Sequence, residues 1–204
     1  MKRLLIIGAG GHGKVIAGIA LACGYDTVAF LDDNTQLKTC MGYPVIGKTE
    51  DVFLYQKEDV FVAIGNPSVR QKIQDKLEEK GISVPVLIHP NAVTADNASI
   101  GKGTVIMAGA VVNQDARIGR GCIINTCASV DHDNRIGDFV HIAVGSHTAG
   151  TVTIGERTWL GIGAVISNDI SVCADCMIGA GAAVVKDIKE AGTYIGVPAK
   201  KVKP

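Results

Sequence analysis

Two stretches of the chain bring together residue types that suit chemistry. The first is Asp131-His132-Asp133-Asn134. Histidine titrates near neutrality and is the usual general base, and an adjacent carboxylate can orient the ring and stabilise the imidazolium. His132 and Asp133 supply both groups, although a solvated polar turn has the same composition. The second is Gly8-Ala9-Gly10-Gly11-His12-Gly13, in Gly-x-Gly-x-x-Gly spacing, with Asp32-Asp33 further on. Backbone N–H groups at such a loop and helix start receive phosphate. The acids stand where a dinucleotide fold places its ribose-binding carboxylate. A third candidate, Cys173-x-x-Cys176, has metal or redox spacing but no second pair of that kind.

The bulk composition narrows the classes. A chain of 204 residues suits one domain or two small ones. At 47% hydrophobic and 4% aromatic, its core must be built mostly from Val, Ile, Leu and Ala. Lys plus Arg equals Asp plus Glu, so the basic excess of a nucleic-acid binder is missing. No apolar run approaches the roughly 18 residues of a membrane span. The opening Leu4-Leu5-Ile6-Ile7 stops at Gly8 and reads as a first strand rather than a signal peptide. A cytoplasmic location is expected, with all six cysteines reduced.

The elements that must position these residues fall into two kinds. Residues 1–88 alternate strands and helices, which implies a parallel α/β sheet, about half of a full dinucleotide-binding fold. Strands are expected at Leu4–Ile7, Thr27–Leu31, Val60–Ile64 and Val84–Ile88. One helix is expected over Lys14–Cys23, stopped by Gly24, and another from a Ser68 cap to about Lys80. Residues 89–204 change pattern. Ile-Gly recurs at 100, 118, 136 and 154, a period of 18. Within it runs a period of six: from Ile100 to Val184, fourteen of fifteen positions are aliphatic, Thr148 being the exception. Small residues such as Ala110, Cys122, Ala128 and Cys176 stand two positions earlier. Six fits neither the helical 3.6 nor the strand period of 2. It fits a triangular coil of three short faces, the aliphatic pointing inward, the small residue filling the corner, and Gly, Asn or Asp just after the aliphatic relieving turn strain. On this phase the cysteine pair is structural and no metal is expected.

Such hexads resemble those of left-handed β-helix acyltransferases. Three stretches resemble, more narrowly, the bacterial sugar acyltransferases that include UDP-4-amino-sugar N-acetyltransferases and NeuD-type sialic acid O-acetyltransferases. These are Gly8–Gly13 with Phe30-Leu31-Asp32-Asp33; Asp131–Gly137 with Val140-His141-Ile142-Ala143; and Gly196-Val197-Pro198-Ala199-Lys200. The resemblance implies a homotrimer with acetyl-CoA as cosubstrate in a groove between columns. It assigns His132 as base, Asp133 as the residue that tunes its basicity, and His141 with backbone near Ile162 and Ala180 to acetyl-CoA. His141, just before inward-pointing Ile142, is expected to project outward. Gly10, Gly11, His12, Asp32, Asp33 and Gly65 would hold a nucleotide-sugar, the acids accepting hydrogen bonds from a uracil N–H or ribose hydroxyls. Lys186, Lys189, Lys200, Lys201 and Lys203 are candidates to neutralise coenzyme A phosphates. The expected reaction is N-acetylation of a UDP-4-amino-4,6-dideoxy sugar in bacterial glycan biosynthesis, with O-acetylation of sialic acid or a related glycan as the alternative. A non-catalytic NAD-binding module is the rival of another class. The absence of a second half-domain opposes it.

Overall fold

The computed structural model describes residues 1–202, so Lys203 lies outside the described residues. The chain divides into two compact units, Met1–Pro90 and Asn91–Pro204. Among the described residues no helix is long and apolar enough to cross a membrane.

The first unit is a small α/β sheet. Strand β1 (Arg3–Ile7) is followed by helix α1 (Gly11–Ala22), then by β2 (Thr27–Leu31), β3 (Thr39–Cys40), β4 (Tyr43–Gly47), β5 (Asp59–Val62) and helix α2 (Pro67–Glu79). The strand order is β3-β4-β2-β1-β5, parallel except for the β3–β4 hairpin. β1 lies between β2 and β5, and Leu4, Leu5, Ile6 and Ile7 are fully buried, as expected of a strand covered on both faces. Leu5, Ile7, Ala29, Leu31, Val60 and Val62 pack with Leu77, Ile82 and Val84 in one cluster.

Helix α1 starts at Gly11 rather than Lys14, the strands β3 and β4 were not expected, and three further details differ from the sequence reading. The third parallel strand ends at Val62, not Ile64, because the chain turns there toward the cap of α2. That cap is Asn66, not Ser68: its Oδ1 accepts from Val69 N at 3.0 Å, and Pro67 takes the first helical position, where a missing N–H costs nothing. Only Leu87–Ile88 of the expected last strand forms a strand, and it is not part of this five-stranded sheet. Pro85 has no N–H to donate to a ladder.

The second unit is a left-handed parallel β-helix. Each hexapeptide contributes a two-residue strand, and strands 18 residues apart pair in register, as in Val111↔Ser129↔His147 and Arg117↔Arg135↔Thr153. Three flat faces result. The first runs through Val93, Val111, Ser129, His147, Val165 and Ala183, the second through Ser99, Arg117, Arg135, Thr153 and Ser171. The third runs through Val105, Ile123, His141, Trp159 and Met177, then Gly192–Ile195 and Lys200–Lys201. The inward series from Ile106 to Val184 forms one continuous core, with Ile100 packed against it. Thr148 is buried too, its hydroxyl donating to Ser129 O at 3.3 Å.

The turn chemistry differs from expectation. The left-handed residue is the third after each inward aliphatic, not the first: Gly109, Asp115, Cys127, Asp133, Phe139, Thr151, Arg157 and Gly163 all have φ between 56° and 70°. The glycine directly after the aliphatic has a stacking role instead. A Cβ on Gly137 would lie 2.7 Å from Glu156 N, and one on Gly161 2.6 Å from Ile178 O, so a side chain there would strike the next coil.

Candidate active site

The turn bearing His132 joins the first face to the second. Asp133 takes the left-handed conformation at φ 59°, and its N–H donates to Gln114 O on the coil before. Asn134, fully buried, takes the position that Ala98 and Ala116 hold in the two coils before. Its Nδ2 donates to Asp131 O, His132 O and Ala149 O at 2.9, 3.2 and 2.8 Å, tying the turn to the next coil. Asp131 Oδ1 accepts from Asn113 Nδ2 and from His132 N, both at 2.8 Å. This held frame presents an exposed imidazole.

His132 Nδ1 lies 2.7 Å from Asp133 Oδ2. A carboxylate can only accept, so this contact places the proton on Nδ1 and leaves the lone pair on Nε2. The Asp133 hydrogen bond raises the His132 pKa above its ordinary value, and the charges of Asp131, Asp133 and Asp169 add to it. The ring rests on the next coil at Gly150, where a Cβ would lie 2.5 Å from both His132 Cε1 and Nε2. A side chain at position 150 would therefore displace the imidazole.

His141 lies on the outer row, in register with Ile123 and Trp159, but it does not project into solvent. It is 9% exposed, its Nε2 is 3.1 Å from Asn125 Nδ2, and Trp159 stacks on it with ring centroids 4.6 Å apart. The ring stays outside the core that Ile142 enters, as expected, but neighbouring coils supply an amide and an indole that cover it. Ile162 and Ala180 are exposed at a different corner from His132, the one joining the third face to the first. They stack in register with Val144, as Gly163 N→Val144 O at 3.0 Å and Gly181 N→Ile162 O at 2.9 Å show. The whole first face separates this stripe from His132 on the same column. His147 lies on that face, its Nδ1 2.8 Å from Ser129 Oγ.

In the first unit, the loop after β1 leads directly into α1, which has no side-chain cap, so its first N–H groups lack intrahelical acceptors. Gly10 and Gly11 face open space, whereas a Cβ on Gly13 would strike Gly8 O. Asp32 braces this loop. Its Oδ2 accepts from Ala9 N at 2.7 Å and its Oδ1 from Asn34 N at 2.9 Å. Asp33 is exposed and accepts from Thr49 N at 3.0 Å. His12 Nε2 is buried with no hydrogen-bond partner among the described residues. Burial pushes the His12 pKa down to about 4, and the positive charge of Arg70 acts in the same direction.

The remaining candidates are structural or peripheral. Cys173 and Cys176 have sulfurs 3.5 Å apart, and burial, with the neighbouring thiol, pushes Cys176 up to about 12. No cluster of metal-ligating residues occurs among the described residues. Lys201 pairs with Glu190 at 3.0 Å. Sequence reasoning missed Asn125, Asn134, Gly150 and Arg70. Only Asn134 carried a readable signal, a polar amide two positions before Ile136, in a slot that elsewhere holds Ala, Ser, Thr, Cys, Val or Ile.

Comparison with known proteins gives consistent assignments. The PglD N-terminal domain family matches residues 3–77, and the bacterial transferase hexapeptide (six repeats) family matches residues 97–132. UDP-N-acetylbacillosamine N-acetyltransferase of Bacillus subtilis (strain 168) is 40% identical over 116 residues, 53% of this chain and 52% of that protein. The aligned region thus spans about half the length of that curated relative. The acetyltransferase domain of PglB from Neisseria gonorrhoeae FA1090 superposes with a TM-score of 0.95 at 42% identity, covering 99% of this chain and 100% of that one. It has also been solved in complex with acetyl coenzyme A. PerB from Caulobacter crescentus, solved with CoA and GDP-perosamine, gives 0.94 at 39% identity over 100% and 98% of the two chains.

Proposed function

The chain belongs to the hexapeptide-repeat family of bacterial sugar acyltransferases, and from that premise we propose that it transfers an acetyl group from acetyl-CoA to the amine of a nucleotide-linked amino sugar. The single observation that carries this reading is the His132 Nδ1···Asp133 Oδ2 contact of 2.7 Å, which leaves the lone pair on Nε2 of an exposed ring. Nε2 takes a proton from the sugar amine, or from the tetrahedral intermediate formed when the amine adds to the thioester carbonyl. The C–S bond then breaks and the coenzyme A thiolate recovers the proton from the imidazolium. Asp133 fixes the tautomer and stabilises the charged ring. Backbone N–H groups stabilise the oxyanion.

In this reading the glycine-rich loop with His12, Asp32, Asp33 and Gly65 forms the nucleotide-sugar site. His141 and the Ile162–Ala180 stripe belong to acetyl-CoA. Because His132 and that stripe stand at different corners of one column, a ligand touching both is best served by a groove between columns, which favours a homotrimer. The buried position of His141 makes its role one of shaping the groove wall with Trp159. The acceptor proposed first is a UDP-4-amino-4,6-dideoxy sugar.

The test is to incubate the protein with acetyl-CoA and a panel of UDP- and GDP-linked amino sugars, CMP-sialic acid and free sialic acid, following thiol release. Release with a 4-amino sugar nucleotide, and a light-scattering mass near three chains, are the expected results. Release only with sialic acid would move the assignment to O-acetylation. Tight NAD binding that depends on Asp32 or Asp33, without thiol release, would overturn acetyl transfer altogether.

A further inference from the structure

Arg70, on α2, is 1% exposed, and its Nη1 donates to Ile64 O at 2.8 Å and Gly65 O at 2.9 Å. In a planar trans peptide the carbonyl and the following N–H point in opposite directions. With both carbonyls turned inward to the guanidinium, the N–H groups of Gly65 and Asn66 are turned away from it. They stand immediately before the first turn of a 13-residue helix, so they extend its positive end. β1 and β5 are neighbours in the sheet, and the loops that follow them leave it side by side. A Cβ on Gly8 would lie 2.9 Å from Ala63 O and 3.0 Å from Ile64 Cδ1. The charge of Arg70 is felt at His12, in the loop after β1. One buried cation is thus bonded to one of these loops and electrostatically coupled to the other.

We propose that Arg70 is a positioning residue for the diphosphate of the nucleotide, holding the Ile64 and Gly65 carbonyls inward so that the Gly65 and Asn66 N–H groups meet the phosphates alongside those of the glycine-rich loop. The proposal rests on the nucleotide-sugar reading above. It makes Arg70 a partner of the site without contact to the ligand. Arginine suits the task because Nη1 carries two N–H groups held in fixed directions by the planar guanidinium, one for each carbonyl, whereas an ammonium is a single point charge on a flexible stem.

Arg70→Met should raise KM for the nucleotide-sugar by about tenfold or more, the weight of one or two hydrogen bonds, while kcat and KM for acetyl-CoA stay unchanged. Arg70→Lys should fall between. The His12 pKa, read by NMR, should rise in Arg70→Met from about 4 toward the ordinary histidine value. A second pair of variants guards against misfolding. Asn66 has φ −64°, which proline accepts, so Asn66→Pro removes the N–H and the cap, whereas Asn66→Ala removes the cap alone. KM for the nucleotide-sugar should be higher in Asn66→Pro than in Asn66→Ala. Equal KM values in that pair, or an unchanged KM in folded Arg70→Met, would overturn the proposal. Calorimetry with pyrophosphate separates it from the acetyltransferase reading. Weaker pyrophosphate binding in Arg70→Met, without turnover of any sugar nucleotide by the unaltered protein, supports Arg70 and removes acetyl transfer. Turnover with pyrophosphate binding unaffected by the substitution removes the Arg70 proposal alone.

Discussion

The turn holding His132 and the loop holding His12 place the same side chain in opposite surroundings. His132 stands exposed beside three aspartates, and its pKa is raised. His12 is partly exposed but has its Nε2 buried, near a guanidinium, and its pKa is lowered to about 4. The first environment makes an imidazole that takes up a proton readily and gives it back. The second makes one that stays neutral at physiological pH and offers a lone pair without reacting. The difference comes from neighbours, not from histidine itself: a carboxylate within hydrogen-bonding distance in one case, burial and a like charge in the other. The molecule therefore has two histidine-bearing loops suited to two tasks, proton transfer and ligand recognition, and each substitution below should touch one and spare the other.

The largest effect should come from His132→Ala. Loss of a general base lowers kcat by roughly 10²–10⁴. KM for the nucleotide-sugar should hold, and steady-state kinetics with the best substrate of the panel would check both. Turnover within a factor of a few of the unaltered protein would end the assignment of His132. Gly150→Ala should come next. Its Cβ would meet the ring of His132 at 2.5 Å, and the flexible imidazole is the part that gives way. We expect kcat to fall by roughly 10–10², the scale of an ångström-level misplacement, with little change in thermal midpoint. A full loss of folding would instead show that Gly150 serves the coil rather than the base.

The same contrast explains what the sequence made legible. The column could be read from six-residue spacing because each inward position repeats one steric requirement, and even Thr148 satisfies it by hydrogen-bonding its hydroxyl. Its turns could not, because the stacked ladder forces Phe139, Thr151 and Arg157 into left-handed conformations that their types do not advertise. In the sheet, Leu4–Ile7 announced itself as a buried run, but Tyr43–Gly47 was overlooked because Pro44 and its partial burial leave it only a short apolar stretch. His132 with Asp133, and the glycine loop, were visible as residue types at fixed spacing. Their supports were not: Gly150 lies 18 residues from His132 and Arg70 lies on another element from His12, so only the folded chain brings each to its histidine.

Asp133→Asn should have a milder effect, about tenfold on kcat near neutral pH, since it weakens basicity without removing the base. The sign of its pH effect is fixed. Asp133 raises the His132 pKa, so its loss must lower it. The acid limb of the kcat/KM profile, which reports the fraction of neutral His132, should then move to lower pH. A limb that stayed in place would mean that some other group controls it.

The smallest effect on saturated turnover should come from His12→Asn, which belongs to the recognition side. Here the pH signature lies in stability. The folded pKa is about 4 against an ordinary value of 6.5, so between those values the unfolded chain binds a proton that the folded chain does not. Stability should therefore rise as pH increases from about 4 to 6.5 and level off above, with a span of roughly 3 kcal/mol from this group. Asparagine cannot titrate, so chemical denaturation of His12→Asn at pH 4.5 and 7.5 should show that much less difference than the unaltered protein. Over the plateau, from pH 6.5 to 8, nucleotide-sugar KM in the unaltered protein should stay flat while kcat follows His132. If KM instead tracked a group titrating near neutrality and the stability difference survived the substitution, His12 would not be the neutral partner, and the contrast between the two loops would fail on that side alone.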